Sequence, residues 1–293
     1  MAVAVPVTLP PIEAPPEIPA GIELVPLSPT IGTEVLGIDL RTPLTQETYA
    51  FLDSLLLARK VIFFRDQDIT PQQHLAFARH WGELLVTPFG SEQHAESADI
   101  MLLRNDGNDQ RTNLWHSDGC WRPEPELGSV LRGVLIPDVG GDTLFADMYL
   151  AYELLSDSMK TFLEGLKAVH DGAGPYVGHY KTEVPEGGYP KTAHPVIAVH
   201  PVTGRKVLNV NAAFTTHIVG LRQWESKAIL EAIYTLIATT PKLWCRVNWT
   251  PNTVALWDNR CTQHHAVWDY YPYSRYGERI AIVGDAAPVS VSG

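Results

Sequence analysis

The chain of 293 residues carries 33 acidic and 22 basic side chains, and a net charge of −11 excludes the basic surface that nucleic-acid binding requires. At 45% apolar and 19% charged residues it has an ordinary globular composition, with no apolar run long enough to span a membrane. The first basic residue is Arg41, which argues against a secretory signal or transit peptide. The three scattered cysteines (Cys120, Cys245, Cys261) cannot frame a disulfide scaffold, so a cytoplasmic protein is expected.

In chain order, residues 1–30 form a proline-rich segment, expected to be extended. A single domain is expected over 31–293, because the candidate ligands lie half a chain apart and must share a core. Residues 31–40 suggest its first strand. Thr45 opens a helix striped by Phe51, Leu52, Leu55 and Leu56, and Val61–Phe64 follows as a buried strand. Thr70, Pro71 and Gln73 spell a capped helix start, and Gly82 its stop. Residues 83–115 hold turn formers without a regular period and suggest a long loop, with His80 and His94 nearby.

A strand is expected at Trp115–Asp118, then Ser129–Ile136, a turn at Pro137–Gly141, and Thr143–Ala146. A helix over Ser156–Leu166 precedes a Gly-, Pro- and Tyr-rich excursion from Gly172 to Pro190. Ala193–Val199 and Lys206–Asn211 suggest a strand pair, and Arg222–Ile237 a helix striped by Ile229, Ile233, Leu236 and Ile237. Leu243–Trp249 alternates, with Leu243, Cys245, Val247 and Trp249 facing in. The chain closes on a short strand at Trp257, a turn holding His264 and His265, and a strand over Arg279–Gly284. The fold class expected is mostly β with flanking helices, a jelly roll or double-stranded β-helix.

In a strand, residues i and i+2 share a face, so His116 and Asp118 can address one point in space. A third ligand from a distant strand, such as His264, would complete two imidazoles and a carboxylate on one side of a metal. That set leaves positions open opposite, as in non-haem Fe(II) oxygenases. His264 and His265 are adjacent, so at most one joins Asp118. The plain alternative is a strand-edge histidine bonded to a carboxylate. Taken alone, Arg275 and Arg279 fit ordinary surface arginines and Thr143 an ordinary strand threonine. Trp115 and Trp257 flank the candidate ligands and are expected to shield them. A Cys261–His264 nucleophile pair lacks an oxyanion-hole motif.

From Ile31 to Asp285 the motifs line up with a known family. They include Gly37-Ile38-Asp39-Leu40, Arg65-Asp66-Gln67, Trp115-His116-Ser117-Asp118, Gly140-Gly141-Asp142-Thr143-Leu144 and His194-Pro195-Val196. Phe214-Thr215-Thr216, Trp257-Asp258-Asn259-Arg260 and Thr262-Gln263-His264-His265-Ala266 follow in the same order. The chain resembles the TauD/TfdA family of Fe(II)- and 2-oxoglutarate-dependent dioxygenases. The resemblance implies a double-stranded β-helix that consumes 2-oxoglutarate and O2 and releases succinate and CO2. It implies that His116, Asp118 and His264 hold Fe(II). Arg275, eleven residues beyond His264, would grip the outer carboxylate of 2-oxoglutarate with help from Thr143. Arg279, fifteen beyond, would lie near the inner carboxylate and the substrate anion with donor capacity to spare. Thr87 and Gly119 are further substrate-binding candidates. Thr87 stands where taurine-oxidising members carry a histidine, and Gly90 where they carry a tyrosine, which points to an anion bulkier than taurine. A zinc hydrolase and a non-catalytic jelly-roll binder are the rival classes. A homo-oligomer is compatible with the sequence, and nucleic-acid or membrane partners are not expected.

Overall fold

Side chains alternate along a strand, and that alternation sorts the apolar residues of this chain onto opposed faces. The computed structural model describes residues 16–86, 92–105, 114–178, 183, 184 and 186–291. Its strands are β1 (Glu23–Pro26), β2 (Thr33–Leu36), β3 (Val61–Phe64), β4 (Leu84–Leu85), β5 (Glu92–His94), β6 (Ser97–Asn105), β7 (Gly128–Leu135), β8 (Thr143–Asp147) and β9 (Lys167–Asp171). The second half adds β10 (Lys191–Pro195), β11 (Ile197–Val199), β12 (Lys206–Leu208), β13 (Thr215–Ile218), β14 (Trp244–Val247), β15 (Val254–Asp258), β16 (Thr262–Ala266), β17 (Arg275–Ile282) and β18 (Val289–Ser290). The helices are α1 (Gln46–Arg59), α2 (Pro71–Ala78), α3 (Met148–Glu153), α4 (Asp157–Leu163), α5 (Ala173–Gly178) and α6 (Gln223–Thr239).

The largest sheet runs β1-β2-β3-β15-β7-β17-β6-β5, with β4 added to β17. The site depends on one smaller sheet, β14-β8-β16. On β3, Ile62 and Phe64 pack with α1 and α2 residues such as Leu52, Leu55 and Phe77. Val61 and Phe63 instead pack with Phe145, Cys245, Val247 and Trp257, between the large sheet and the small one. Both faces of β3 are therefore covered, which is why all four of its residues are apolar and buried. Most strand pairs are antiparallel and β2–β3 is parallel. Along β7 and β17 the register shifts once, between Tyr276 and Gly277, where Val134 of β7 is the extra residue.

Several expectations hold in detail. Thr45 caps α1 through its hydroxyl, and Thr70 and Gln73 form a reciprocal capping box at α2 with Pro71 at its start. Leu243, Cys245, Val247 and Trp249 are all buried. Others are corrected. The folded sheet begins at Glu23 and not at residue 31, since β1 pairs with β2 along four residues. The long loop expected over 83–115 contains β6, nine residues with Ile100 and Leu102 buried. Its alternation is masked by Asp99 and Arg104, but pairing to β17 decides the matter. The two histidines expected in a turn lie on β16. The strand expected at 115–118 is a single bridge from His116 to His264 followed by a turn.

Candidate active site

Two sheets meet at this site, and each contributes through its inward face. On the small sheet His264 lies opposite Phe145, and Thr143 sits two residues before Phe145 on the same face of β8. On the large sheet Arg279 lies opposite Leu131, whose side chain is in the core between the sheets. Arg275 is four residues earlier on β17 and faces the same way. His265 is opposite Leu144, faces outward, and has its ring 5.4 Å from Trp115. The Trp257 ring lies 5.3 Å from His264, tilted by 55°, so it flanks that histidine, whereas Trp115 flanks His265.

His116, Asp118 and His264 converge. Reciprocal backbone bonds tie His116 to His264 at 3.1 and 2.8 Å. His116 Nε2 lies 3.6 Å from Asp118 Oδ1, and His264 Nε2 lies 3.6 Å from Asp118 Oδ2. A cation about 2.0–2.2 Å from each donor, typical of imidazole and carboxylate ligation, fits those separations. His116 Nδ1 bonds to Leu114 O at 2.7 Å, which leaves Nε2 as the lone-pair nitrogen. Asp118 Oδ2 is buried and accepts no well-aligned hydrogen bond among the described residues. The Arg279 guanidinium forms an ion pair with it at 3.0 Å, and the oxygen keeps lone-pair capacity for a cation. Burial would raise the Asp118 carboxyl, but the Arg279 guanidinium and both imidazoles outweigh it and hold it at about 2. Burial, with His116 beside it, lowers His264 to about 3, so its ring is neutral and able to ligate.

The turn carrying Asp118 is clipped by Asn259. Its Oδ1 accepts from Asp118 N at 2.9 Å, and its Nδ2 donates to the carbonyls of Asp118 and Glu126 at 2.8 and 3.1 Å. Ser117 adds a bond to Thr262 O at 2.7 Å. Gly119, in the same turn, has φ +60 and packs against Glu126, where a Cβ would come within 2.9 Å of Glu126 Cγ.

Arg275 stands out because it lacks a counter-charge. Among the described residues it has no ion pair or hydrogen bond, its Nε is buried and unpartnered, and its guanidinium lies 5.6 Å over the Trp249 ring. Burial pulls it below its usual value, only partly offset by Tyr270 and Asp142. The nearest acidic candidates are already engaged: Asp142 takes Arg246 and Asn248, and Asp269 takes Gly141 N. Gly141, at φ +76, lets the chain pass the Arg275 stem. Beside it Trp249 Nε1 donates to Thr143 Oγ1 at 2.9 Å, which leaves the threonine hydrogen free to donate.

Arg279 is more committed than expected. Its Nε and Nη2 donate to Ser129 Oγ at 3.0 and 2.8 Å, and Nη2 also bonds Glu126 and lies 3.0 Å from Asp118 Oδ2. Glu126, Ser129, Trp249 and the clip Asn259 had no assigned role in the sequence reading. Only Asn259 carried a signal, inside the Trp257–Arg260 motif. Thr87 and Gly90 lie outside the described residues. Two other histidine readings end away from the site: His80 stacks on Tyr49 and bonds Asp53, and His94 faces Glu278. Cys261 is buried beside His200 and Asp258, where His200 bonds Asp258 through Nε2 and accepts two backbone N–H groups at Nδ1. With both ring nitrogens engaged, that cluster reads as a brace.

One wall beside His116 is aromatic. Phe214 lies 6.0 Å from His116, Tyr176 lies 6.4 Å from Phe214 and 6.2 Å from Trp121, and Tyr176 stacks on Tyr189 at 5.3 Å. The Gly172–Pro190 excursion therefore reaches the site.

Comparison with known proteins bears on this arrangement. The profile of the taurine catabolism dioxygenase TauD, TfdA family matches residues 23–281. An alkylsulfatase of Acinetobacter baylyi is 34% identical over 280 residues, 90% of this chain and 86% of that one. An alpha-ketoglutarate-dependent sulfate ester dioxygenase of Pseudomonas putida is 30% identical over 287 residues, 93% of this chain and 92% of that one. The crystal structure of a taurine dioxygenase from Burkholderia xenovorans superimposes with a TM-score of 0.81 at 35% identity, covering 93% of this chain and 92% of that one. The chain belongs to the TauD/TfdA family, and it is an Fe(II)-dependent dioxygenase that uses 2-oxoglutarate (α-ketoglutarate) and O2.

Proposed function

We propose that this enzyme oxidises a small organic anion larger than taurine, such as an alkyl sulfate or an aryloxy- or alkyl-carboxylate. The buried, uncompensated Arg275 beside Thr143 carries the co-substrate half of this reading. A dicarboxylate whose outer end reaches Arg275 gains a charge-assisted, bidentate contact and a neutral one from Thr143. His116, Asp118 and His264 are the residues that would hold the iron, supported by their converging donors. When bound, Fe(II) supplies oxidation by O2 of 2-oxoglutarate to succinate and CO2, with the second oxygen atom passed to a substrate C–H bond. A product hydroxylated beside a heteroatom collapses and cleaves that bond, which unites hydroxylation and ester cleavage.

The chain's own residues bind and orient. Asp118 stays ionised beside Arg279, His264 stays neutral, and Asn259 keeps the turn that presents Asp118 in place. Trp257 and Phe145 pack against His264 and keep water from its flank. Arg279 Nη1 is the group proposed to meet the substrate anion, and Tyr176 and Phe214, with Trp121 buried behind them, its apolar part. The sheets that carry these groups fit the jelly-roll reading, and one catalytic domain from residue 23 onward is the organisation proposed. The family relatives named for sulfate esters support an anionic substrate. Succinate release should be measured with taurine, a series of alkyl sulfates and a series of aryloxycarboxylates. The expected result is substrate-dependent succinate from a larger anion. Taurine as the best substrate, or a preference for uncharged analogues, refutes the substrate reading, and metal-dependent hydrolysis without succinate would favour the zinc alternative.

A further inference from the structure

Arg279 is proposed above to meet the substrate anion, and its surroundings limit how it can do so. A guanidinium offers two bidentate forks, one along its side from Nε and Nη2 and one at its end from Nη1 and Nη2. Both forks use Nη2. In this chain Nη2 donates to Glu126 and to Ser129 Oγ at 2.8 Å, and lies 3.0 Å from Asp118 Oδ2. Nε donates to the same Ser129 oxygen at 3.0 Å. Glu126 is a built-in group: it is 4% exposed, Asn259 Nδ2 holds its carbonyl at 3.1 Å, and its side chain packs on Gly119, where a Cβ would collide. Nη1 of Arg279 makes no hydrogen bond among the described residues, and Tyr176 is a further electrostatic neighbour of the guanidinium.

We infer that Glu126 is a specificity-determining residue. With Ser129 already on the Nε–Nη2 side fork, Glu126 on Nη2 closes the Nη1–Nη2 end fork of Arg279 to the substrate. An anionic substrate then has a single-point contact at Nη1, in a corner that already holds the carboxylates of Asp118 and Glu126. Discrimination moves from the headgroup to the apolar body of the substrate, which meets Tyr176 and Phe214. A sulfate ester and a carboxylate of similar shape become near equivalents. This inference rests on Arg279 as the anion contact.

The test is calorimetric titration of enzyme loaded with Mn(II) and N-oxalylglycine, which does not turn over. The probes are hexyl sulfate and, as its neutral match, 1-hexanol. Glu126→Met removes the acceptor at similar volume and opens the end fork, while Ser129 keeps the side fork. It should bind hexyl sulfate about tenfold more tightly than wild type, the size of one charge-assisted contact, with 1-hexanol unchanged. Glu126→Gln keeps an acceptor at Nη2 and should gain less. A folded Glu126→Met variant with unchanged hexyl sulfate affinity overturns the inference. If that variant does not fold, the wild-type ratio decides: a preference for hexyl sulfate over 1-hexanol below about tenfold supports it, and a larger one overturns it. Adding Arg279→Gln to Glu126→Met separates the two readings. A gain that survives the double variant refutes the Arg279 anion contact itself. No gain in Glu126→Met alone, alongside weaker hexyl sulfate binding in Arg279→Gln alone, refutes only the role of Glu126, whereas a gain that is lost in the double variant supports both.

Discussion

His264 and His265 differ by one position and by everything that matters to a metal. The first points between the sheets toward Asp118, the second outward beside Trp115. His264→Ala should abolish tight Mn(II) binding in a calorimetric titration, whereas His265→Ala should leave it within about threefold, a change under 1 kcal/mol. The reverse pattern would move the ligand assignment by one residue. At the far end of the site, Arg275→Ala removes a contact worth about 1.5–3 kcal/mol, so the 2-oxoglutarate KM should rise roughly 10- to 100-fold. Thr143→Val removes a neutral bond and strands the Trp249 donor, and a rise of about 2- to 10-fold is expected. A 2-oxoglutarate requirement unmoved in Arg275→Ala would refute that assignment. The ligand types and their order were legible in the sequence because His-x-Asp and a distant histidine are chemistry-bearing residues in a recognisable frame. Glu126 was not, since a glutamate within a Pro-Glu-Pro-Glu run carries no mark of burial until β7 and β17 bring it to Arg279.

At the scale of elements, the ends of helices were more readable than the strands. Thr45 and Thr70 cap their helices through local bonds that depend on neighbours three residues away. β6 depends instead on β17, more than 170 positions later in the chain, and its own sequence mixes polar and apolar residues on both faces. The metal-site turn is a third kind of element, held by side chains and not by a ladder. Asn259 makes three bonds to the backbone around Asp118 and Glu126. Asn259→Ala leaves those buried groups unpaired, so a loss of about 1–3 kcal/mol in urea unfolding is expected. Mn(II) affinity should weaken about tenfold, as for other groups that orient metal ligands. Full stability and unchanged metal affinity in the variant would show that the turn holds itself.

For the whole molecule, acid is the expected weakness. His74 and His170 are buried away from the proposed metal site, and burial lowers each to about 3. Arg132 deepens the shift at His74, and His194 at His170. Both are neutral in the fold, while the unfolded chain takes up their protons below about 6.5. Between those values the unfolded state binds more protons, so stability falls as pH drops and gains nothing from them above about 6.5. The slope is up to about 1.4 kcal/mol per pH unit for each group. Urea midpoints measured from pH 8 to pH 4.5 should stay level and then fall, and His74→Leu should flatten the lower limb. A midpoint independent of pH across that range would contradict the burial of these rings. The buried strand Val61–Phe64 was legible too, because it is apolar on both faces; the four-sheet division was not, since which strands pair is settled across the whole chain.

The two arginines of β17 also constrain how this protein can change over generations. They sit four residues apart, about 13 Å along a strand that rises about 3.3 Å per residue. Inserting or deleting one residue between them would turn one guanidinium to the opposite face of the sheet. On the proposed roles, the length between Arg275 and Arg279 is a fixed spacer between the co-substrate contact and the substrate-anion contact. The irregularity that the sheet does tolerate has been placed in the neighbour: β7, not β17, carries the extra residue at Val134. Changes in the 172–190 excursion would, on the same proposed roles, alter the substrate wall and leave the co-substrate contact in place, whereas a change in the length of this one strand would disrupt it.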